Sequence, residues 1–312
     1  MLLAGFDAGQ TSTRCRISRW DGTHWISIGQ GKGPGVVHLE ATDGRQRFLD
    51  AIQRSSAEAL GSNPCKALDA AVIGASGIDH GTSHEESASR LLAEALALSR
   101  EQVLATGDER TALRGAFPDG AGIVLISGTG MVCLGRDGSG REHRCGGWGW
   151  RLDGGGSAFD LGHQGLQLTL EMADGRRPDN PLRQQLWTQL ACRTAADVKA
   201  RVVRTDCGTA EIAALAPAVV QAAENGLKPA QAILTKSATT LARCAGTVAR
   251  TLDLVQPRLV GHGGTLEHLA GFREAVHRAI EEELPDVRWQ KPAGDACQGA
   301  LTMARELALR RR

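Results

Sequence analysis

The chain contains one short pattern twice, and each copy reads as a strand, a turn rich in Gly and Thr, a second strand, an Asp-Gly turn and a third strand. The strands of the two copies cover residues 2–7, 13–20 and 25–30, and then residues 123–126, 131–135 and 141–145. An Asp-Gly pair between two strand-like runs is a strong signal for a β-hairpin. Because alternating helices and strands follow both copies, we favour a duplicated α/β unit over a chance similarity of two hairpins.

The rest of each half alternates between helical and strand-like segments. Apolar residues spaced three and four apart predict helices, and short apolar runs predict strands. The predicted helices are 43–60, 87–98, 109–116, 157–173, 195–203, 209–224, 229–252, 265–283 and 295–310. The additional predicted strands are 70–75, 102–105 and 259–261, and the segment 178–181 reads as a loop.

A chain of 312 residues exceeds the usual size of one domain, so we expect two domains. We place an N-terminal domain at 1–117 and a C-terminal domain at 118–312, with a hinge near 116–120. Whether the closing helix 295–310 packs back on the N-terminal domain is left open.

Charge and hydropathy argue against several classes of protein. Charged residues make up 23% of the chain and the net charge is +1, a balance that argues against nucleic-acid or membrane-surface binding. No apolar run approaches the ~20 residues of a membrane span, and the N-terminus lacks the basic start of a signal peptide. The eight cysteines form no Cys-x-x-Cys pair, as is typical of reduced thiols. We therefore expect a cytoplasmic protein that acts on a small molecule.

Three glycine-rich segments suggest the chemistry. A tight turn of Gly and Thr between strands presents backbone N–H groups and hydroxyls, and both suit an anionic phosphate. The candidate residues are Gly9, Gln10, Thr11, Ser12 and Thr13, then Gly128, Thr129 and Gly130, and finally Gly261, His262, Gly263 and Gly264. Asp7 ends the strand before the first turn, where a carboxylate can hold Mg²⁺ through water. One such turn is weak evidence, whereas three together favour a nucleotide site.

These motifs resemble, in their order, those of the BadF/BadG-type ATPase and N-acetylglucosamine kinase family. Asp7-Ala8-Gly9-Gln10-Thr11-Ser12-Thr13-Arg14 resembles its first phosphate motif, Ser127-Gly128-Thr129-Gly130 its second, and Leu259-Val260-Gly261-His262-Gly263-Gly264 its adenosine motif. Cys145-Gly146-Gly147-Trp148-Gly149-Trp150 resembles the Gly-Gly-Trp-Gly segment that follows the second phosphate motif. The resemblance covers nearly the whole chain. It implies an α/β protein with two ribonuclease-H-like (actin-like ATPase) domains, mixed sheets flanked by helices, and a cleft for ATP and Mg²⁺ between the domains.

The resemblance also implies a catalytic base. In that family an aspartate after the last strand of the N-terminal domain has this role, and Asp108 occupies its place. A carboxylate can accept the proton that a sugar hydroxyl loses as it attacks the γ-phosphate. Two other readings stay open, because Asp108 is also suited to cap the helix 109–116 and Asp79 is a rival base.

By the same resemblance, we expect Gly146, Gly147, Trp148 and Asp153 to bind the acceptor. Trp148 is about equally suited to the core of a domain interface. Two interpretations of His262 stay open: a solvated histidine in a loop, or a histidine that contacts the base or ribose of the nucleotide.

Four positions depart from the family pattern where its sugar kinases usually carry more polar residues. These positions are Val36, Gly107, Met131 and Gly154, the last following an acid that lies one place early at Asp153. A pocket that hydrogen-bonds a hydroxyl loses much of its affinity when it loses a partner. Phosphoryl transfer is therefore better supported than N-acetylglucosamine as the acceptor.

The leading hypothesis is an ATP-dependent kinase of a hexose-like acceptor, with an amino sugar such as N-acetylglucosamine or glucosamine as the expected class. The alternatives are an ATPase that activates a partner enzyme and a non-catalytic sensor of a nucleotide or sugar. Activators in this family resemble iron–sulfur proteins, and Cys133 and Cys145 form the nearest cysteine pair here, in a setting unlike a cluster loop. A homodimer is left open.

Overall fold

A computed structural model describes residues 1–61 and 67–311 of the chain. Its strands are β1 (Leu2–Ala8), β2 (Ser12–Trp20), β3 (Trp25–Pro34), β4 (Ala70–Ala75), β5 (Val103–Gly107), β6 (Gly122–Ser127), β7 (Met131–Arg136), β8 (Glu142–Cys145), β9 (Arg258–His262) and β10 (Arg288–Trp289). Its helices are α1 (Gly44–Leu60), α2 (Ser83–Leu96), α3 (Asp108–Ala116), α4 (Ala158–Ala173), α5 (Pro181–Gln189), α6 (Ala195–Val202), α7 (Thr209–Ala213), α8 (Ala216–Glu224), α9 (Lys228–Thr251), α10 (Gly264–His268), α11 (Ala270–Glu283) and α12 (Ala296–Leu309).

The strands form two mixed sheets of five strands each. The order is β3-β2-β1-β4-β5 in the first sheet and β8-β7-β6-β9-β10 in the second. In each sheet the middle strand is antiparallel to the next strand in sequence and parallel to the strand on its other side. Both middle strands, β1 and β6, are buried along most of their length, as expected for strands covered on both faces. The predicted fold class, two mixed sheets flanked by helices, is confirmed.

The chain divides into two compact units, which we call the first and second domains. The first domain is Met1–Gly120 with Lys291–Arg312, and the second is Ala121–Gln290. The sequence-based boundary at 117 and 118 had placed the last segment, including the closing helix, in the C-terminal domain. The structure groups it with the first domain because α12 shares an apolar core with β1 and β4. That core contains Leu3, Ala70, Val72, Ala300, Leu301, Ala304 and Ala308.

Helix α5 begins at Pro181, inside a stretch whose prolines suggested only a loop. The side chain of Asn180 caps the helix by accepting a hydrogen bond from the Leu182 N–H at 3.0 Å. Proline suits the first turn of a helix, because the N–H it lacks would have no partner within the helix. The helix is anchored by Trp187, whose indole N–H donates to the Thr169 hydroxyl at 2.9 Å.

Two predicted helices are each divided in the structure. The predicted segment 265–283 forms α10 and α11, which meet at Leu269, a residue with φ −105° and ψ 86°. The segment 209–224 likewise forms the short α7 followed by α8. Across the described parts of the chain, no helix combines the length and the apolar character needed to cross a bilayer.

Candidate active site

In the first domain, three parallel strands bring the predicted catalytic segments to one edge of the sheet. The strand register pairs Asp7 of β1 with Gly74 of β4, and Ala75 of β4 with Gly107 of β5. Because parallel strands end on the same side, the turn after β1 and the start of α3 after β5 lie at this edge. The loop that contains Asp79 follows β4 at the same edge.

The first Gly/Thr turn joins β1 to β2 and divides its residues into two groups. Gln10, Thr11 and Ser12 are exposed, whereas Thr13 is fully buried. The Thr13 hydroxyl donates a hydrogen bond to the Pro34 carbonyl at 2.8 Å and so joins β2 to β3. Residues 10–12 are thus the part of this turn that a ligand can reach, and Thr13 supports the turn from the sheet.

Asp7 forms an ion pair with Arg14, the last residue of the first phosphate motif and one that was not predicted as a site residue. The Arg14 guanidinium donates to the same carboxylate oxygen, Oδ2, from Nη2 at 2.5 Å and from Nε at 3.2 Å. The hydrogen bond to Asp7 raises the pKa of Arg14. A signal for this pair was available, because the hairpin register places Arg14 directly opposite Asp7.

Asp108 is the first residue of α3, one place later than the capping position it was suited to. Gly107 occupies the N-cap position. Burial is the largest cause that raises the pKa of Asp108 to about 7, followed by the negative charges of Glu109 and Asp7 and by a hydrogen bond with the Glu109 side chain. A carboxyl in this setting keeps its proton far above the usual pH range of an aspartate.

Asp79, the rival base, lies in the turn between β4 and α2. Its main-chain carbonyl accepts a hydrogen bond from the Thr82 hydroxyl at 2.6 Å, and Thr82 is the N-cap residue of α2. Asp79 therefore has a structural part in the turn that begins this helix.

In the second domain, the turn Gly128–Gly130 is held from two sides. The Gly128 N–H donates to the Gly130 carbonyl at 2.8 Å within the turn. From the start of α4, the Ala158 N–H donates to the Gly128 carbonyl at 2.8 Å. The turn between β6 and β7 is thereby fixed to the N-terminal end of a helix, an arrangement that suits an anion.

A buried network of hydroxyls connects this turn to the third glycine segment, and sequence reasoning missed it. The Thr265 hydroxyl lies 2.7 Å from the Ser127 carbonyl and 2.5 Å from the Ser127 hydroxyl. The Ser127 hydroxyl in turn donates to the Gly156 carbonyl at 2.7 Å. Gly263 has φ +98°, and a Cβ there would lie 2.4 Å from the Ser127 carbonyl oxygen, so only glycine fits.

The His262 ring contacts an acid of its own segment. Its Nδ1 lies 2.9 Å from Oε1 of Glu267, and the same carboxylate oxygen accepts the Gly263 N–H at 3.0 Å. The ring remains 44% exposed. Glu267 therefore orients both His262 and the glycine turn at the start of α10.

The Gly-Gly-Trp-Gly segment leaves its tryptophan at the surface. Trp148 is 63% exposed, and the Arg144 guanidinium lies 5.1 Å from the centre of its ring. Nη2 of Arg144 also donates to the Gly147 carbonyl at 2.7 Å. The backbone at Gly146 packs beside the Met131 sulfur and the Asp153 carboxylate, so the segment, Asp153 and the divergent Met131 share one surface region.

Cys133 and Cys145 are directly opposite each other on β7 and β8. Within residues 1–61 and 67–311, no group of three or more His, Cys, Asp or Glu side chains is arranged to hold a metal ion.

Comparison with known proteins gives one family and several relatives. The model of the BadF/BadG/BcrA/BcrD ATPase family matches residues 4–304. The chain is 25% identical over 305 residues to the N-acetylmuramic acid/N-acetylglucosamine kinase of Clostridium acetobutylicum, and the match covers 96% of this chain and 97% of the relative.

Solved structures agree with this result. A protein of Chromobacterium violaceum that carries the name N-acetylglucosamine kinase superposes with a TM-score of 0.75 at 25% identity, over 97% of this chain and 98% of that one. A ROK family glucokinase of Streptomyces griseus, solved with glucose and AMPPNP, superposes with a TM-score of 0.56 at 15% identity, over 99% and 100% of the two chains. At that identity, the second likeness concerns the fold alone.

Proposed function

The chain belongs to the BadF/BadG/BcrA/BcrD ATPase family, and from this premise we propose that it is an ATP-dependent kinase that phosphorylates a hydroxyl of an amino sugar. The observation that carries the proposal is the Asp108 carboxyl, whose pKa is raised to about 7 at the sheet edge that also holds Asp7. A general base is most effective when its pKa lies near the working pH. The names of the Clostridium and Chromobacterium relatives support an amino sugar as the acceptor class.

Asp108 is the residue that takes the acceptor's proton. As the acceptor oxygen bonds to the γ-phosphorus, the bond from that phosphorus to the β–γ bridging oxygen breaks and ADP leaves with the electron pair. The hydroxyl proton passes to the ionised Asp108 carboxylate and is later released to water. The acidic surroundings that raise the pKa of Asp108 also make its carboxylate a stronger proton acceptor than an ordinary one.

Asp7 fits the expected magnesium site. Its side chain is 19% exposed, and both hydrogen bonds from Arg14 go to a single oxygen, so the other oxygen can meet a metal-bound water. Mg²⁺ usually keeps several waters and is bound by one or two carboxylates. When bound, Mg²⁺ would neutralise phosphate charge, while Arg14 holds the Asp7 carboxylate in place.

Glycine-rich turns bind the nucleotide in this proposal. Gln10, Thr11 and Ser12 are the accessible residues of the first turn, and Gly128, Thr129 and Gly130 form the second. The segment Gly261–Gly264 serves adenosine, with His262 held by Glu267. Thr13 has a supporting part, because its hydroxyl proton is donated to Pro34.

The acceptor is bound by Gly146, Gly147, Trp148 and Asp153 in this proposal. Two of the positions that diverge from the family, Val36 and Met131, are 1% and 5% exposed, and neither side chain can donate a hydrogen bond. Recognition of the sugar therefore depends more on Asp153 and on main-chain groups. A cytoplasmic location stays a prediction of the sequence, and a homodimer stays open.

A panel of acceptors tests the proposal. Release of ADP is measured with N-acetylglucosamine, glucosamine, N-acetylmuramic acid and glucose, using wild type, Asp108→Asn and the control Asp79→Asn. We expect Asp108→Asn to lower kcat by about 10²–10⁴-fold on the best acceptor, with the KM for ATP little changed. Asp79→Asn should stay close to wild type.

Full phosphotransfer by Asp108→Asn would remove Asp108 from the mechanism and leave Asp79 or Asp153 as the base. ATP hydrolysis that no acceptor stimulates would favour the activator ATPase instead.

A further inference from the structure

A cavity of about 430 Å³ lies in the second domain, beside the segment proposed to bind the acceptor. Its lining includes the aromatic residues Trp150, Phe159 and His163 and the basic residue Arg151. The cavity begins where the Gly-Gly-Trp-Gly segment ends, because Trp150 follows Gly149 directly. Its volume is in the range of pockets that bind small molecules.

The aromatic rings of this lining pack on one another. Phe159 is 9% exposed, and the centre of its ring lies 5.0 Å from that of Trp150. On its other side, the His163 ring lies 5.5 Å away and is nearly parallel to it, at 12°. Rings that are packed in this way offer a firm apolar surface to the carbon atoms of a ligand.

Arg151 brings a positive charge to the cavity. Its guanidinium lies 4.9 Å from the centre of the Trp150 ring. In the part of the chain that the structure describes, no acid forms an ion pair with it. A guanidinium is planar, and its N–H groups match the two oxygens of a carboxylate. Arg151 can therefore pair with an anionic group of a ligand.

The acid of the lining, Asp160, is engaged by the protein itself. Its Oδ2 accepts hydrogen bonds from the Gly156 N–H at 2.8 Å and from the Ser237 hydroxyl at 2.7 Å. Its Oδ1 accepts a third from the Gln164 amide at 2.9 Å. The charged group of the lining that is left to meet a ligand is thus Arg151.

Two glycines keep this space open. Gly154 and Gly155 line the cavity without a side chain, and Gly154 is one of the positions that depart from the more polar family pattern. A Cβ at Gly155 would lie 2.8 Å from Cγ2 of Thr240, so a larger residue there would have to displace that side chain. Asp153, which precedes the glycines, packs beside Gly146 and is not part of the lining. The cavity can therefore take a substituent of the acceptor.

We propose that this cavity is a subsite that selects amino sugars with a carboxylate-bearing substituent, and that Arg151 determines this specificity. The proposal deepens the proposed function and rests on it, because it concerns the same acceptor. Arg151 pairs with the carboxylate. The rings of Trp150, Phe159 and His163 contact the carbon atoms that join the carboxylate to the sugar.

A purely structural role for Arg151 is the competing explanation. A guanidinium over an aromatic ring is a stabilising contact in its own right, although a weak one at an exposed site. On that account, Arg151 only supports the loop that carries Trp150. Its replacement then affects every acceptor to the same extent.

Two acceptors that differ by one substituent separate these accounts. N-acetylmuramic acid is N-acetylglucosamine with a lactic acid group in ether linkage, so it adds a carboxylate to the same sugar. We expect Arg151→Gln to lower kcat/KM for N-acetylmuramic acid by about tenfold or more relative to that for N-acetylglucosamine. Arg151→Lys, which keeps the charge but not the planar donors, should lose less. Equal losses on both acceptors would contradict the proposal.

The matched control is Arg183→Gln. The Arg183 guanidinium also lies over a tryptophan ring of the second domain, 5.1 Å from the centre of Trp187. Its loss should leave the ratio of the two kcat/KM values as in wild type. A change of that ratio in Arg183→Gln as large as in Arg151→Gln would overturn the specific role of Arg151.

The methyl ester of N-acetylmuramic acid tests charge apart from size. The ester keeps the substituent but removes its charge, so wild type should use it less well than the acid. Arg151→Gln should use acid and ester about equally. Equal use of acid and ester by wild type would overturn the proposal.

Binding in the absence of ATP keeps the subsite distinct from the kinase assignment. Saturation-transfer NMR detects ligand protons that contact the protein. The methyl group of the lactic acid substituent should receive saturation from wild type and much less from Arg151→Gln. If this difference is seen but no acceptor is phosphorylated, the subsite stands and the kinase assignment fails. If both sugars are phosphorylated but the methyl group receives no saturation from wild type, the kinase stands and the subsite falls.

Discussion

The two domains share one order of strands but differ in the chemistry at the ends of those strands. In the first domain the groups at the ends of β1 and β5 are ionisable, with Asp7 paired to Arg14 and the raised pKa of Asp108 set in part by the negative charge of Glu109. In the second domain the corresponding end of β6 is joined to the start of α10 by hydroxyls and main-chain carbonyls. The two sheets therefore place equivalent positions at their strand ends. The side chains at those positions determine whether they can ionise or can only form hydrogen bonds.

The difference separates two kinds of effect. Coupled carboxyl groups respond to pH and can exchange protons, whereas hydroxyls such as Ser127 and Thr265 keep their protons throughout the physiological range. Changes in the first domain should thus act on kcat and on its pH dependence. Changes in the second domain should act on affinity for the nucleotide and on stability.

Among the further changes that test this comparison, Asp7→Ala has the largest expected effect. It removes the proposed metal-binding carboxylate and leaves Arg14 without its partner, so kcat should fall by about 10²–10³-fold, as when one preorganised electrostatic group is lost. Turnover with ATP is measured across a range of Mg²⁺ concentrations. Equal wild-type turnover with and without Mg²⁺, or a variant as active as wild type, would contradict the charged character assigned to the first domain.

Thr265→Val tests the second domain. The change keeps the shape of the side chain but removes both contacts to Ser127, so the free energy of unfolding should fall by about 1–3 kcal/mol. Because the turn that begins at Gly128 follows Ser127 directly, we expect the KM for ATP to rise by roughly tenfold, or about 1.4 kcal/mol, while the acid limb of kcat stays in place.

The matched control for that change is Thr302→Val. Thr302 is also buried, but its hydroxyl donates to the Gln298 carbonyl within α12 of the first domain. It should change stability without changing the KM for ATP. A rise in KM for both variants would show that loss of any buried hydroxyl perturbs the nucleotide site.

How well the sequence predicts a feature depends on how far apart in the chain its contacting residues lie. The hairpins and the Gly/Thr turns are local, and their residues predicted the strands around Asp7 and around Ser127 within one or two positions. The pairing of Arg14 with Asp7 was also accessible, since the hairpin register sets them opposite.

Contacts between distant residues could not be predicted in this way. Thr265 and Ser127 are 138 positions apart, and nothing in either local pattern indicates that their hydroxyls meet. The burial of Glu109 was hidden for a related reason, because an acid in the first turn of a helix is normally assumed to face solvent. The return of α12 to the first domain likewise depends on small apolar residues whose partners on β1 and β4 come from the other end of the chain.

The smallest expected effect is a pH dependence of stability that arises in the first domain. Asp108 has an ordinary aspartate pKa in the unfolded chain and a pKa raised to about 7 in the folded protein, so the folded state binds more protons between these values. Its contribution to stability is complete below about pH 4, and it is lost as the pH rises through 7.

Asp108→Asn cannot ionise, so relative to wild type it should gain stability between pH 5 and pH 8, with a difference in Tm on the order of a few degrees. Thermal unfolding of both proteins at the two pH values measures this, and a difference in Tm that stays constant with pH would mean that the Asp108 carboxyl is not held neutral by its surroundings. If Asp108→Asn is more stable than wild type at pH 8, the ionised Asp108 carboxylate destabilises the first domain. The comparison predicts this result, because the hydroxyl network of the second domain carries no such charge.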